Sequence, residues 1–260
     1  MATEKTYKTP GLIIKKTKLG EADRILTIFT PELGKIQGFA KSVRKPQSKL
    51  SGHLEMLTYS QLTLTKGRGL DTIIGSQNID SFIDIKDDLY RVSYALYIAE
   101  LIDYFTDEGT ADKDLFEHTI ECLQHMGKTS HPMYLLRYFE MRMLTYTGFK
   151  PEINNCVICQ KELDRTNLGG FAPSAGGMLC LDCREHSRHY GYFLSNSAYK
   201  TLRFLEECSV EDLESEVPDP DTIAELEMLL RRYIRFVLEK DVRSIPWIDH
   251  LKRLSSTVLY

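Results

Sequence analysis

With 260 residues, 42% of them hydrophobic and 27% charged, the chain has the makeup of a globular protein of one large domain or two to three small ones. No uninterrupted apolar run approaches the ~20 residues a membrane helix needs, and the polar opening from Met1 to Lys5 has no apolar leader core, so the expectation is a soluble, cytoplasmic protein with reduced thiols. The formal net charge of −4 hides an asymmetry: residues 1–80 carry 13 Lys and Arg against 7 Asp and Glu, whereas residues 81–260 carry 20 against 30, so a cationic segment suited to a polyanion precedes an acidic body.

The cationic segment reads as β-structure. Five short stretches rich in β-branched residues, Gly11–Lys16, Arg24–Thr30, Lys35–Ala40, Thr58–Lys66 and Leu70–Ile79, are separated by turn residues. Leu19 to Asp23 and Pro31 to Gly34 make tight connections, and Lys66-Gly67-Arg68-Gly69 makes a two-glycine hairpin. Five strands in so short a length, with one longer loop after the third, predict a small closed barrel of the OB type, because closure removes the exposed edges of a small open sheet.

That longer loop, Lys41 to Gly52, gathers Lys41, Arg44, Lys45 and Lys49, and the last hairpin adds Lys66 and Arg68. Cations on such loops can follow a phosphate backbone without reading bases. Phe29, Phe39 and Tyr59 lie within the strands and read as core side chains ahead of stacking platforms.

After Asp84 the pattern becomes helical. Leu89, Val92, Leu96, Ala99 and Ile102 form one stripe and Tyr90, Tyr94, Tyr97, Leu101 and Tyr104 a neighbouring one, which predicts a helix buried on two sides, with the tyrosines against the barrel. Asp112–His125 and Met133–Tyr146 give two more helices, the second opened by Pro132 and stopped near Gly148. Ser195 caps another that runs to about Glu207, and beyond the acidic linker Glu211–Asp221 a long helix spans Thr222 to Lys240. Its Arg231, Arg232 and Arg235 lie off the apolar face, open to a nucleic-acid track, an acidic peptide or acidic neighbours in the chain itself. For the tail, Asp241–Tyr260, packing back and fraying stay equally open.

Between the helices lies the most specific chemical signal, two Cys-x-x-Cys pairs, Cys156/Cys159 and Cys180/Cys183, separated by residues 160–179. Each pair can close on one ion, and a turn-bearing insert of this length lets the second complete a tetrahedron, which predicts one structural zinc ion held by four thiolates. No coordination position is then left for activating water. A thioredoxin-type pair would need only one such motif, and His186 or His189 could replace a thiolate only where one was missing. Gly169-Gly170 and Gly176-Gly177 allow turns in the insert, while Phe171 and Met178 offer apolar cover to a unit too small for a core of its own.

The chain carries no phosphate-binding Gly-x-x-x-x-Gly-Lys-[Ser/Thr], no dinucleotide Gly-x-Gly-x-x-Gly after a strand and no nucleophile elbow. His53-Leu54-Glu55 matches half of a zinc-deaminase signature, but the Cys pair that would complete it lies about a hundred residues away, follows Asn155 where proline is expected, and is better satisfied by Cys180 and Cys183. The expectation is a protein without catalytic residues.

Several of these segments together resemble the bacterial recombination mediator family RecO: Gly11-Leu12-Ile13-Ile14, Gly20-Glu21-Ala22-Asp23, Ile28-Phe29-Thr30, Gly34, the run Lys41 to Lys49, and Leu70-Asp71-Thr72-Ile73. The Cys quartet is similar to the zinc module of some members. The resemblance implies a multidomain α+β chain: a five-stranded OB barrel over residues 1–80, a helical domain over 81–150 and 192–260, and a zinc-ribbon-like four-cysteine insert over 151–191. It also implies a non-enzymatic DNA repair function in the bacterial nucleoid. Such a protein binds single- and double-stranded DNA, anneals complementary strands, and helps load RecA together with RecR and the single-strand-binding protein. Lys41, Arg44, Lys45 and Lys49 become the expected phosphate contacts, with Lys35, Lys66 and Arg68 as additions. An RNA-binding OB protein and a non-enzymatic interaction scaffold are the alternative readings.

Overall fold

In the computed structural model, residues 6–45, 47, 50–186, 188–189 and 191–257 are described. The chain forms two compact units, one of residues 1–128 with 242–260 and one of residues 129–241. The helices that the sequence groups over 81–150 and 192–260 therefore fall in both.

The first unit is built on five strands, β1 (Thr6–Leu19), β2 (Asp23–Thr30), β3 (Gly34–Ala40), β4 (Tyr59–Thr65) and β5 (Asp71–Asp80). They close into a barrel in the order β1-β2-β3-β5-β4, all antiparallel except β3 and β5. This is the OB arrangement. Closure depends on β1, whose first half pairs with β4 and second half with β2; Leu12 sits opposite both Tyr59 and Phe29. The strand can coil this sharply because Gly11 stands at the changeover, where a Cβ would collide with the Ile28 methyl, and a bulge between Ile13 and Lys15 adds twist. Inside lie Ile13, Leu26, Ile28, Ala40, Leu62, Leu64 and Ile73, joined by Val43 and Leu54 from the connection between β3 and β4. That connection is therefore part core: Val43 and Leu54 plug the barrel while Lys41, Arg44 and Lys45 remain outside.

Helices cover the barrel on one side. After the short α1 (Ile83–Lys86), α2 (Leu89–Phe105) starts at Asp88, whose carboxylate accepts from the Tyr90 and Arg91 N–H groups at 2.8 and 3.0 Å, and α3 (Lys113–Met126) starts at Asp112 in the same way. Tyr94 and Tyr97 are buried, and α2 packs against β1 on one side and the terminal helix α8 (Ile245–Thr257) on the other, which explains its nearly continuous apolar circumference. Through α8 the tail thus packs back. Tyr90 Oη donates to the Leu251 carbonyl at 3.2 Å, and the Glu100 carboxylate accepts from the Arg243 N–H, the Ser244 N–H and Ser244 Oγ at 2.7–2.9 Å. Phe29 and Tyr59 behave as core side chains: their rings stand 5.4 and 5.7 Å from that of Phe116 on α3.

The second unit packs α4 (Pro132–Tyr146), α6 (Asn196–Glu207) and α7 (Pro220–Leu238) against one another. The Cys-rich insert lies between α4 and α6 and contains the hairpin β6 (Leu168–Ala172) and β7 (Gly177–Cys180) followed by α5 (Leu181–His186). Gly176 adopts positive φ at the turn between the strands, and Gly170 does so at an irregularity within β6. Phe171 and Met178 are fully buried, and the Phe171 ring meets Tyr233 of α7 edge-on at 5.3 Å, so the insert borrows its core from the helices.

Ser195 caps α6 by accepting from the Ala198 N–H at 3.1 Å while donating through its own N–H and Oγ to Glu225 of α7. Ser195→Ala removes the cap and leaves the Glu225 carboxylate one donor short. A loss of about 1–2 kcal/mol in urea unfolding is expected.

Candidate nucleic-acid interface and candidate metal centre

The register of the barrel decides which loops share a rim. Gly38 and Phe39 at the end of β3 pair in parallel with Asp71 and Thr72 at the start of β5, so the loop leaving β3 and the β4–β5 hairpin entering β5 emerge side by side. Arg24 pairs with Ala40 and also with Lys18, which adds the β1–β2 turn to the same rim. Lys41, Arg44, Lys45, Lys66 and Arg68 are all exposed there. Lys49 lies outside the described residues.

The described residues at the start of the β3 loop and in the β4–β5 hairpin are anchored. Ser42, at φ 52°, donates its N–H to the Asp23 carboxylate at 2.6 Å, the Arg44 N–H donates to the Ala22 carbonyl at 3.0 Å, and the Arg44 guanidinium reaches the Gly20 carbonyl at 3.3 Å. Asp71 anchors the hairpin by accepting from Tyr7 Oη at 2.7 Å and the Gly67 N–H at 3.1 Å, with Lys66 Nζ at 3.3 Å. Burial opposes its ionisation, but these hydrogen bonds and the ammonium outweigh burial and hold the carboxyl below its usual range. Lys66 also lies 4.7 Å from the centre of the Tyr7 ring, so its position is set from two sides.

Lys35 does not belong to this surface. It is buried, donates to the Asp103 carbonyl at 2.5 Å and pairs with the Asp103 carboxylate at 3.3 Å, tying β3 to α2. Desolvating a cation is tolerable only against such a partner, and nothing local in the sequence separates Lys35 from its exposed neighbours. The Glu55 of the deaminase-like His-x-Glu is likewise engaged, by Lys16 and Arg24.

In the second unit the four sulfurs of Cys156, Cys159, Cys180 and Cys183 lie within 4.8 Å of one another, with Cys159 and Cys180 at 3.7 Å. A tetrahedral ion with ~2.3 Å metal–sulfur bonds sets its ligands about 3.8 Å apart, so the cluster could hold a metal. Two kinds of backbone deliver the thiols. Cys156 and Cys159 flank a tight knuckle closed by the Gln160 N–H to the Cys156 carbonyl at 2.8 Å, with Gln160 at φ 61°. Cys180 ends β7 and Cys183 stands in the first turn of α5, its N–H 3.5 Å from the Cys180 sulfur. Burial raises the Cys156 thiol, but N–H groups of Cys159, Cys180 and Ile158 overcome it and bring the group down to about 6; Cys180 is raised, with burial the leading cause.

The two histidines turn elsewhere: His186 Nδ1 stands 2.7 Å from the Asp182 carbonyl and His189 Nδ1 is 3.0 Å from Ser174 Oγ. On α7, Arg231 pairs with Glu227 at 2.6 Å, Arg235 with Asp241 at 2.9 Å, and Arg232 lies 4.1 Å above the Tyr192 ring. Of the three fates open to these arginines, pairing within the chain accounts for the first two. Among the described residues, no helix is long and apolar enough to cross a membrane.

Comparison with known families and proteins agrees along nearly the whole length. Residues 1–82 match the family model described as recombination protein O N terminal, and residues 86–246 match recombination protein O C terminal. The chain is 42% identical over 246 residues to a DNA repair protein RecO of Dehalococcoides mccartyi strain CBDB1, covering 95% of this chain and 96% of the relative. It is 35% identical over 255 residues to that of Roseiflexus sp. strain RS-1, covering 98% and 89%, and 30% identical over 249 residues to that of Halalkalibacterium halodurans, covering 95% and 96%.

Proposed function

Because the chain belongs to the RecO family, whose role is DNA repair by recombination, we propose that it is a non-enzymatic recombination mediator. It binds single- and double-stranded DNA at the barrel rim, anneals complementary strands, and assists RecA loading with RecR and the single-strand-binding protein. The observation that carries this reading is the convergence of Lys41, Arg44, Lys45, Lys66 and Arg68 on one rim of a closed OB barrel. Their mounts on Asp23 and Asp71 hold the backbone of the loops while the charged ends stay exposed.

The mechanism needs no bond chemistry. Cations on the rim neutralise phosphates of one strand and release its counterions, and the same field lowers the repulsion felt by a second strand. Base pairing between the strands then supplies the sequence specificity that the protein does not read. Zinc suits the four-sulfur site, because a soft tetrahedral thiolate set selects it and leaves no open position. Its role is to fix the insert against α7, outside any reaction.

Titrating labelled single-stranded DNA, duplex and RNA of equal length at two salt concentrations tests this reading. Binding of both DNA forms, weakening steeply with salt, is expected. Preference for RNA would replace it with an RNA-binding function, and no binding to any of the three would leave an interaction scaffold.

A further inference from the structure

Phe39 reads as core in the sequence, yet the register turns it outward. Its neighbours on β3 point in: Ala40 is part of the barrel core, and a Cβ on Gly38 would meet the Ile73 side chain at 2.8 Å. Alternation along the strand then places Phe39 on the outer wall, where it is only partly buried. It stands in a row that crosses all five strands. Thr17 pairs with Ile25, Ile25 with Phe39, Phe39 with Thr72, Thr72 with Thr65 and Thr65 with Thr6. The aromatic ring stands beside the uncharged β-branched Ile25 and Thr72. The other two strand aromatics differ, since Phe29 and Tyr59 both lie against Phe116. The chain continues from Phe39 through Ala40 directly into Lys41, Arg44 and Lys45, so the ring borders the cationic rim.

We propose that Phe39, with Ile25 and Thr72 beside it, is a platform on which an unpaired nucleobase stacks, adding affinity for single-stranded DNA that duplex DNA does not share. The inference rests on the rim cations being phosphate contacts. Those cations act on any phosphate chain, so by themselves they give a single strand no advantage over a duplex. An aromatic face adds affinity only for a base whose own face is free, which a duplex denies and a single strand offers. The neighbouring threonines and Ile25 hold no charge that would compete for phosphate.

The test uses the full chain with fluorescent oligothymidine and a duplex of equal length. Phe39→Ala is expected to weaken single-strand binding about tenfold, to leave duplex binding within twofold, and to leave the dependence on salt unchanged. Phe39→Trp should retain single-strand affinity, and its added emission over the parent protein should fall when single strand, but not duplex, is bound. Equal losses for both DNA forms, no loss for either, or an added emission indifferent to single strand would each overturn the proposal. A failure of the underlying rim reading looks different: Arg44→Glu with Lys45→Glu would then leave both DNA forms bound as before, whatever Phe39 does. Thermal melting of Phe39→Ala distinguishes a fold defect, and the tryptophan variant decides the question if one is found.

Discussion

Reversing Arg44 and Lys45 together to glutamate is expected to weaken single-stranded DNA binding by about 10- to 100-fold at low salt. The plot of log affinity against log salt should also become shallower by about 1.4, because each phosphate contact on a single strand contributes about 0.7 to that slope. Both side chains are exposed, so the melting temperature should hold; surface changes of this kind usually stay within about 0.5 kcal/mol. The Arg44 backbone N–H bond to Ala22 survives the substitution, which keeps the loop in place while its charge is inverted. Fluorescence anisotropy at three or more salt concentrations supplies affinity and slope from one experiment. A lower affinity with an unchanged slope would mean that the loop moved without having touched phosphate, and unaltered binding would remove the loop from the interface. Lys35→Gln provides the contrast: it should cost stability by removing the buried tie to Asp103, which keeps Lys15 as a partner at 2.8 Å, and leave the salt slope alone.

That contrast marks the limit of what residue type conveys. Lys35 and Lys41 carry the same charge six positions apart, and only the arrival of Asp103 from α2 separates a buried tie from an exposed contact. Local patterns were legible wherever local chemistry decides the outcome: the glycine turns, the β-branched strands, the Ser195 cap, and the Cys pairs, whose spacing alone implies a shared ion. Strand β1 is longer than its pattern, Thr6–Leu19 in place of Gly11–Lys16, and runs through Pro10. Over Thr6 to Gly11 that strand pairs with β4 alone, which accommodates the proline. Helix α8 depends on Glu100, 143 residues earlier, to receive the N–H of Arg243, a partner no sequence window contains. Phe39 did carry a signal. A barrel of five strands has room inside for the small residues of Gly38-Phe39-Ala40, and the large one between them must then face out.

Removing the metal is expected to produce the largest change in stability. The insert buries only a small apolar set, including Ile153, Leu163, Phe171, Met178 and Leu179, and its knuckle and its helical turn meet at the four sulfurs. In small modules of this type metal binding contributes about 10–16 kcal/mol near pH 7, as much as the whole stability of an ordinary domain. Cys156→Ser, at a fully buried ligand position, should therefore lower the melting temperature of the 129–241 unit by more than about 10 °C. A strong chelator should do the same and release one equivalent of zinc to a colorimetric indicator. Phe171 leans on Tyr233, and Tyr233 Oη donates to the Phe149 carbonyl at 3.0 Å, so loss of order in the insert should spread into α7 and the end of α4. Hydrogen exchange would show it as lost protection at those helices, with β1–β5 retaining theirs, since the described residues of the barrel core, from Tyr7 to Ile73, all precede the insert in the first unit. Purified protein that yields no metal, and melts at the same temperature with or without chelator, would reduce the quartet to four free thiols and leave the borrowed apolar core as the only support of the insert.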